Sequence, residues 1–344
     1  MCKRRAFLGI LFFVFVTSAL CFLVSCVRPG NSSYSGDSGA VSKKELRVAA
    51  LKGPTAMGLV YLMDRVENAQ VDSCDYKFTV SSSVDEIIPK ISNNEVDIAM
   101  IPANLSSVLY NSMNGGVRVI AVNTLGVLYI IGRNDSVKTV ADLKGRTIYA
   151  SGKGATPEYA LNYILKNNGL DPTNDVNIEW KSEHSECLAS FLMSGEDSVA
   201  MLPQPFVASA KAKNDKITTV VDLNSEWDKI QRKSGSDSAL VTGVAVVSRD
   251  FSENNRADVE RFLDYYKESV DFVNKNVQQA AELVEKYGIV TSDVAVSALP
   301  ECNISFIEGE SMKSALSGYL GVLFGQNPKS VGGKLPDDDF YFKR

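Results

Sequence analysis

The chain has 344 residues, of which 45% are hydrophobic and 22% are charged. This composition is typical of a folded globular protein and excludes a disordered or collagen-like chain. Its 36 Lys and Arg residues are outnumbered by 41 Asp and Glu residues, which gives a net charge of -5. That balance argues against nucleic acid as a partner, because nucleic-acid-binding proteins present clustered positive charge to the phosphates. At about 100 to 200 residues per domain, the length predicts two domains.

The histidine and cysteine content indicates neither a metal site nor a cofactor. His184 is the one histidine of the sequence, which excludes a metal site built from several histidines. Beyond residue 26 the cysteines are Cys74, Cys187 and Cys302, an odd number at spacings unlike those of metal ligands. We therefore expect buried or unpaired thiols in preference to a disulfide.

The first 25 residues have the pattern of an export signal. A basic segment, Lys3 to Arg5, precedes an uncharged apolar run from Ala6 to Val24, which is the order found in signal peptides and membrane anchors. The apolar run of 19 residues is also long enough to span a bilayer, so its length leaves both alternatives open. Either alternative places the folded part outside the cytoplasm, because positive charge stays inside.

Cys26 favours the cleaved signal over the retained anchor. Leu23-Val24-Ser25-Cys26 resembles a bacterial lipobox, in which the cysteine is acylated and becomes the new N-terminus. Residues 26–43 are rich in Ser and Gly and lack hydrophobic periodicity, which predicts a flexible tether. We therefore expect a signal peptide at 1–25, lipid attachment at Cys26, and a globular part that starts near Lys44 on the extracytoplasmic face of the membrane.

From Glu45 onward, short apolar runs alternate with segments of helical periodicity. The predicted strands are 46–51, 76–80, 96–101, 117–122, 127–131 and 241–247, and the predicted helices are 56–66, 84–91, 256–274, 277–287 and 309–324. Ser83 and Glu86 fit a capping box at the start of helix 84–91. Alternation of this kind predicts an α/β fold with mainly parallel sheets.

A second unit repeats the first at an offset of 101 residues. Three matches carry the repeat: residues 52–55 recur at 153–156, Ser81 recurs as Ser182, and residues 99–102 recur at 200–203. One alternative is that any two α/β units share turn chemistry. We interpret the repeat as a structural duplication, with lobe one at 45–133 and 243–330 and lobe two at 140–236. Crossings near Gly132 and Gly243 then make a hinge.

The repeated loops follow predicted strands and open predicted helices, so they lie at the edge where open α/β sheets bind ligands. Thr55 and Thr156 are predicted N-caps, whose following N-H groups point out of the helix. Asn104 and Gln204 follow the repeated proline and are expected to present amides from opposite walls. Two such lobes make a cleft suited to an anion or a polar small molecule.

The sequence resembles the solute-binding lipoproteins of ABC importers, in the SsuA-like group for nitrate, sulfonates, taurine and thiamine precursors. The resemblance rests on Leu51 to Gly58, Glu95 to Ala99, Val140 to Arg146 and Gly152 to Tyr159, and it covers about residues 45 to 330. It implies a periplasmic-binding-protein type 2 fold with two α/β lobes and a hinged cleft. It further implies a monomer that hands a small solute to a membrane permease and its ATPase.

The resemblance also implies which residues bind the solute. On one wall they are Lys52, Gly53, Thr55, Ala56, Ser81, Ser82, Asn104 and Thr124, and on the other Gly152, Lys153, Ala155, Thr156, His184, Gln204 and Phe206. No arginine lies in these loops, and Glu158, Glu183 and Glu186 lie close by, which disfavours a multiply charged anion. A sulfonate-like or nitrate-like anion, a zwitterion such as taurine, and a neutral pyrimidine remain open.

We therefore predict a lipid-anchored receptor that captures a small polar or anionic solute for an ABC importer. One alternative is an enzyme on the same fold, similar to a thiamine-pyrimidine synthase or a menaquinone-pathway enzyme. The export signal argues against it, and no nucleophile and base can be paired around the single histidine. Another alternative is a surface sensor that transfers no solute.

Overall fold

The structure is a computed structural model that describes residues 44–71 and 74–344. The predicted signal peptide at 1–25, the tether at 26–43 and the lipidation site Cys26 lie outside the described residues. Within the described ranges, no helix combines the length and the apolar character needed to cross a membrane.

The described chain alternates strands and helices. The strands are β1 (Glu45–Leu51), β2 (Asp75–Ser81), β3 (Ile98–Pro102), β4 (Val117–Thr124), β5 (Leu128–Gly132), β6 (Thr147–Ser151), β7 (Asn177–Lys181), β8 (Val199–Pro203), β9 (Thr218–Asp222), β10 (Gly243–Ser248) and β11 (Ile304–Ile307). The helices are α1 (Pro54–Met57), α2 (Val60–Glu67), α3 (Val84–Ser92), α4 (Ala103–Ser112), α5 (Thr156–Asn167), α6 (His184–Met193), α7 (Phe206–Lys213), α8 (Leu223–Ser234), α9 (Arg249–Asn254), α10 (Arg256–Lys275), α11 (Val277–Lys286), α12 (Ser292–Ala298) and α13 (Gly309–Gln326). Short 3-10 turns cover Val140–Leu143, Leu299–Glu301, Pro328–Val331 and Asp338–Phe340.

The strands form two mixed sheets. The first sheet has the order β11-β4-β10-β3-β1-β2, and the second has the order β7-β6-β8-β5-β9. In the first sheet β1 is parallel to β2 and β3, whereas β10 is antiparallel to β3 and β4. In the second sheet β6 is parallel to β7 and β8, whereas β5 is antiparallel to β8 and β9. The fold is therefore α/β as predicted, and the expected parallel pairing holds for three strands of each sheet.

Five strands of the first sheet, β2-β1-β3-β10-β4, have the same order and pairing directions as the five strands of the second, which supports the predicted duplication; β11 extends the first sheet alone. β3 and β8 hold equivalent places next to the central parallel strand, and their bounds differ by 101 residues. β4 and β9 begin at Val117 and Thr218, which are again 101 residues apart. The offset found in the sequence is thus the spacing between equivalent strands.

The strand predicted at 127–131 lies in a different sheet from the one expected. We assigned it to the first lobe, which was to run to residue 133, but as β5 it pairs with β8 and β9 of the second sheet. The first crossing between the sheets is therefore residues 125–127 and does not lie near Gly132. A short apolar run indicates a buried strand but carries no signal for which sheet it joins. The second crossing ends at Gly243, where β10 enters the first sheet.

The three helices predicted in the last third of the chain are found as α10, α11 and α13, with bounds within two residues of those predicted, whereas α9 and α12 were not predicted. α10 was predicted at 256–274, and it buries Val259, Phe262, Tyr266 and Val270 along one face, as expected for an amphipathic helix. The helix predicted at 56–66 is divided into α1 and α2. The division falls at Gly58, where a Cβ would lie 2.8 Å from the Tyr266 hydroxyl.

One hydrophobic core cluster continues from the first sheet to the second through α13. It contains Val119 of β4, Leu316 and Leu323 of α13, and Leu161 of α5. Trp227 of α8 belongs to the same cluster and is fully buried. Because this core is shared, α13 packs against helices that flank both sheets.

Candidate functional site

A cavity of about 490 Å³ lies where the carboxyl ends of strands from both sheets meet. We call the loops after β1, β2 and β3 the first wall, and the loops after β6, β7 and β8 the second wall. The first wall contributes Leu51, Ser82, Ser83, Val84, Pro102, Asn104 and Leu105, the second contributes Ala155, Thr156, Pro157, His184 and Pro203, and the segments around the crossings contribute Val127, Leu128 and Thr242. Ligands of open α/β sheets bind at this edge, so we take the cavity as the candidate site.

Two larger depressions, of about 520 and 610 Å³, lie elsewhere. The first is lined around Tyr110 and Asp339, and the second around Asp171 and Asp175. Each is lined by residues that flank a single sheet. Neither could therefore couple a bound solute to both halves of the chain.

The cavity lining carries no Lys, Arg, Asp or Glu side chain among the described residues. Its polar groups are the hydroxyls of Ser82, Ser83, Thr156 and Thr242, together with the Asn104 amide and the His184 imidazole. The remaining lining residues are apolar. A multiply charged solute would therefore lose its hydration without meeting an opposite side-chain charge, which is strongly unfavourable.

Four helices begin at the cavity, because α3 and α4 follow the first wall and α5 and α6 follow the second. Ser83 caps α3 by accepting a hydrogen bond from the Asp85 backbone N-H at 3.2 Å. At the starts of α4, α5 and α6, the capping residues Pro102, Ala155 and Glu183 provide no side-chain cap. First-turn N-H groups lack partners within their own helix and favour negative charge. The helix starts thus supply backbone partial positive charge in place of cationic side chains. Acidic residues in the first turns of α3, α5 and α6 offset part of it, and the Ala103 N-H of α4 already donates to the Thr242 carbonyl at 3.1 Å.

His184 links the end of β6 to the start of α6. Its Nδ1 lies 2.5 Å from the hydroxyl oxygen of Ser151, and its ring centroid is 5.2 Å from that of Phe206. Burial lowers the pKa of His184 below its usual value of 6.5, and this outweighs the opposing effect of the nearby Glu183 carboxylate. The imidazole is therefore neutral at neutral pH and can act as a hydrogen-bonding group without a charge.

Two other polar lining residues are held from behind by the C-terminal part of the chain. The Thr156 hydroxyl lies 2.7 Å from the Tyr319 hydroxyl of α13. The Asn104 amide donates to the Ser330 carbonyl at 3.3 Å. These contacts fix the orientation of one side chain on each wall.

Five of the predicted site residues line the cavity, namely Ser82, Asn104, Ala155, Thr156 and His184. Ten do not belong to the lining: Lys52, Gly53, Thr55, Ala56, Ser81, Thr124, Gly152, Lys153, Gln204 and Phe206. Both lysines are exposed to solvent. Ala56, Ser81 and Thr124 are buried in the surrounding structure. The structure thus brings together residues from each wall, around a core of uncharged groups.

The two threonines predicted as N-caps do not cap their helices. Gly53 precedes α1 and Ala155 precedes α5, so each threonine lies within the first turn instead. The Thr55 hydroxyl donates to the Leu51 carbonyl at 2.7 Å. The Thr55 side chain therefore fastens the loop after β1, and the Thr156 side chain bonds with Tyr319 of α13. Neither hydroxyl caps the N-H groups of its own helix.

The two amides predicted to face each other differ in their surroundings. Asn104 lines the cavity, but the Gln204 amide donates to the Glu301 carboxylate and accepts from the Ala208 backbone N-H at 3.2 Å. Gln204 is 1% exposed. Its amide therefore joins an internal network below the second wall.

Ten lining residues are not among the predicted site residues. Seven of them lie close in sequence to predicted residues on the two walls, namely Leu51, Ser83, Val84, Pro102, Leu105, Pro157 and Pro203, and the other three come from the segments around the crossings. Val127, Leu128 and Thr242 reach the cavity because these segments pass between the sheets at its base. An apolar strand start gives no local signal of such a position. The position of Val127 and Leu128 at the cavity becomes apparent only from the pairing of β5 in the second sheet.

Comparison with protein families gives one match. A family model described as an ABC transporter, phosphonate, periplasmic substrate-binding protein matches residues 61–293, which is more than half of the chain. A comparison with curated proteins finds no match.

Solved structures with a similar fold are numerous. An ABC transporter protein from Parabacteroides distasonis superposes with a TM-score of 0.73 at 22% identity, with 88% of this chain and 99% of that chain covered. The periplasmic aliphatic sulphonate binding protein SsuA from Escherichia coli gives 0.68 at 17% identity, with 88% and 93% covered. The alkanesulfonate-binding protein SsuA from Xanthomonas axonopodis, bound to MOPS, gives 0.60 at 12% identity, with 87% and 96% covered. At these identities the similarity establishes the periplasmic-binding-protein fold.

Proposed function

Since the chain belongs to the family of periplasmic substrate-binding proteins of ABC transporters, we propose that it captures one small solute in the cavity between its sheets. It passes this solute to a permease and its ATPase. The cavity lined from both walls is the observation that carries the proposal. A solute bound there contacts residues that follow strands of both sheets, so it stabilises the arrangement in which the walls are close.

The solute carries at most one negative charge and has an apolar part. An alkanesulfonate or a pyrimidine-like ring fits this description better than a phosphonate dianion does. The lining supports this class, because it offers helix N-termini, hydroxyls and a neutral imidazole but no lysine or arginine. A single charge spread over a sulfonate group suits backbone N-H donors, whereas a second charge finds no partner.

The two lobes follow the two sheets and turn about the crossings at residues 125–127 and 235–242. The chain works as a monomer, because each wall is supplied by the same chain. The lobe boundaries proposed from the sequence then need one change, which is the transfer of β5 to the second lobe.

A lipid on Cys26 holds the receptor at the extracytoplasmic face of the membrane. Two or more acyl chains make such attachment stable, where a single chain would be marginal. We expect mass spectrometry of the N-terminal peptide to find an acylated Cys26 as the first residue if the signal is cleaved by the lipoprotein route. An N-terminus that retains residues 1–25, with Cys26 unmodified, would point to the uncleaved apolar anchor instead.

The chain is a receptor and not an enzyme. The contact closest to a nucleophile and base is Ser151 with His184, but Ser151 is 2% exposed and does not line the cavity. A nucleophile must reach its substrate. We therefore expect a bound solute to be recovered chemically unchanged after prolonged incubation, as judged by mass spectrometry.

Calorimetric titration tests the function directly. The protein is unfolded and refolded to remove any bound solute, and is then titrated with ethanesulfonate, MOPS, a neutral aminopyrimidine, and ethylphosphonate at alkaline pH. We expect binding of a monoanion or of the neutral ring, together with a rise in Tm, because a ligand of the folded state stabilises it. Tighter binding of ethylphosphonate than of ethanesulfonate would contradict the proposed solute class.

Two variants in which an alanine is replaced by phenylalanine test where the solute binds. Ala155 lines the cavity on the second wall, whereas Ala189 is exposed on α6 and lies outside the lining. We expect Ala155→Phe to abolish binding by occupying the cavity, and Ala189→Phe to bind as the unmodified protein does. Equal binding by both variants would place the solute elsewhere.

A further inference from the structure

The C-terminal helix α13 and the 3-10 turn Pro328–Val331 contact the two helices that begin at opposite cavity walls. One is α4, whose start follows β3 on the first wall, and the other is α5, whose start follows β6 on the second wall. The two crossing segments are therefore not the sole connection between the halves of the chain. We call α13 together with the turn to Val331 the brace.

The brace meets α5 through three hydrogen bonds. The Tyr319 hydroxyl bonds with the Thr156 hydroxyl at 2.7 Å. Near the end of α13, the Gln326 amide donates to the Tyr159 carbonyl at 3.0 Å, and the Asn327 amide donates to the Tyr159 hydroxyl at 2.9 Å. All of these contacts lie within the first two turns of α5, next to the cavity.

The brace meets α4 through a second set of bonds. Asn104 donates to the Ser330 carbonyl at 3.3 Å, Ser107 donates to the Val331 carbonyl at 2.7 Å, and Asn111 donates to the same carbonyl at 2.8 Å. Ser107 is fully buried. Beyond the turn, the chain is fastened to the first sheet by the Phe342 backbone N-H, which donates to the Val119 carbonyl at 2.9 Å. The brace is thus attached firmly to the first lobe.

The middle of α13 packs closely against the second lobe. Tyr319 is fully buried, and its ring centroid lies 5.8 Å from that of Trp227 on α8. Gly318 faces Ser238 in the second crossing segment, where a Cβ would lie 2.5 Å from the Ser238 Cβ. Burial raises the pKa of the Tyr319 hydroxyl, so the hydroxyl keeps its proton throughout the neutral range.

We propose that the brace sets the separation of the two cavity walls, with Tyr319 as the positioning residue for Thr156. The contacts between the brace and α4 are reinforced by the bond from Phe342 to β4. When the walls separate, the contacts between the brace and α5 are therefore the ones that break. The Thr156–Tyr319 hydrogen bond is then the contact that couples the cavity to the C-terminal helix. This inference rests on the proposed function only for the role of the cavity, because the contacts themselves need no solute.

Hydrogen exchange of the full chain in detergent tests the brace without any solute. Tyr319→Phe removes the hydroxyl that holds Thr156, and Thr156→Val removes the other half of the same bond with little change in shape. We expect each variant to speed exchange of the first two turns of α5 and of α13 by about threefold to tenfold, as loss of one hydrogen bond implies. The double variant should add little to either single variant, and Thr156→Ser should restore slow exchange.

Tyr266→Phe is the matched control. Tyr266 is also fully buried, but its hydroxyl has no hydrogen-bond partner in the described part of the chain and it lies in the core of α10. We expect this variant to leave the exchange of α5 unchanged. The proposal is overturned if Tyr319→Phe speeds hydrogen exchange evenly over the whole chain. It is also overturned if α5 exchanges at the same rate in Tyr319→Phe and in the unmodified protein.

A second measurement separates this inference from the proposed function. Exchange is repeated with saturating ethanesulfonate and with MOPS. If α5 and α13 become protected together in the unmodified protein but not in Tyr319→Phe, the brace transmits closure of the cavity. If both probes protect the cavity walls in Tyr319→Phe as fully as in the unmodified protein, the brace is overturned while the receptor function stands. If the solute-free variants behave as expected but no probe binds, the brace stands and the proposed solute class fails.

Discussion

The hydroxyl of Ser151, at the end of β6, lies 2.5 Å from Nδ1 of His184, which lines the cavity at the start of α6. Because His184 is the one histidine in the sequence, its imidazole signals can be followed by NMR without overlap from another histidine. Burial lowers its pKa below 6.5. We expect the imidazole titration in the folded protein to have its midpoint below that value. A midpoint at or above 6.5 would contradict the buried, neutral ring.

The same group contributes to the pH dependence of stability. In the unfolded chain His184 takes up a proton near its usual pKa of 6.5, whereas in the folded chain it does so at lower pH. Between these two values the unfolded state binds more protons, so the free energy of unfolding falls as the pH falls. We expect denaturant titrations to show a smaller loss between about pH 7 and 5 for His184→Gln than for the unmodified protein. Parallel curves for the two proteins would contradict this assignment.

Asp97 fastens β3 to β1 through a bidentate ion pair. Its carboxylate accepts from Arg47 Nε at 3.0 Å, from Arg47 Nη2 at 2.7 Å and from the Arg47 backbone N-H at 2.8 Å. Asp97 is 7% exposed. Removing one partner of a buried ion pair typically costs about 3–5 kcal/mol, and partial exposure of Arg47 places Asp97→Ala near the lower end.

Chemical denaturation of Asp97→Ala gives the loss directly. Lys77 and Asp75 form an ion pair at 3.0 Å on β2 that is about half exposed on both sides, so Asp75→Ala is the matched surface variant. We expect it to change the free energy of unfolding by less than about 1 kcal/mol. Similar losses of unfolding free energy for both variants would show that the Arg47–Asp97 pair stabilises the fold no more than a surface pair does.

The duplication could be predicted because it is written into the sequence at fixed spacing. The offset of 101 residues between β3 and β8 follows from matching short segments. The placement of β5 could not be predicted in the same way. Its partners β8 and β9 lie about 70 and 90 residues further along the chain, and pairing over such distances leaves no local pattern.

The candidate site was predictable in its loops but not in its side-chain orientations. The loops after repeated strands were expected at the carboxyl edge, and Asn104, Thr156 and His184 are found there. Gln204 has the same position in the repeat as Asn104, yet its amide bonds with Glu301. Tyr319 gave no signal, because an aromatic residue in an apolar helix normally indicates core packing. Contacts between distant segments decide each of these cases.

Gly243 allows a close approach at the start of β10. A Cβ at this position would lie 2.4 Å from the Asn123 Oδ1 atom and 2.6 Å from Thr55 Cγ2. Because these neighbours are buried in β4 and in α1, we expect Gly243→Ala to lower the free energy of unfolding, measured by chemical denaturation, by about 1–3 kcal/mol through overpacking.

Gly321 provides the opposite case within α13. A Cβ added at this helical position would meet no heavy atom of the described residues within 4 Å, apart from the backbone of its own helix and its chain neighbours. We expect Gly321→Ala to stabilise the protein by up to about 1 kcal/mol, as the helix propensities of the two residues imply. For the earlier variant, a rise in the free energy of unfolding of Gly243→Ala would contradict the overpacking, because it would mean that the segment around Asn123 shifts to make room for the added methyl group.

Cys187 and Cys302 are expected to resist alkylation in the folded protein. Both side chains are fully buried, and burial raises the pKa of each thiol to about 12. Since the thiolate is the reactive species, a rise of about three pH units lowers the reactive fraction about a thousandfold at mildly alkaline pH, before access is considered. Peptide mass spectrometry after brief iodoacetamide treatment should find both residues unmodified in buffer and fully modified in denaturant. Rapid modification of Cys302 in buffer would mean that the region around α1 and the 3-10 turn Leu299–Glu301 opens readily, because Cys302 Sγ lies 3.8 Å from Met57 Sδ within that core.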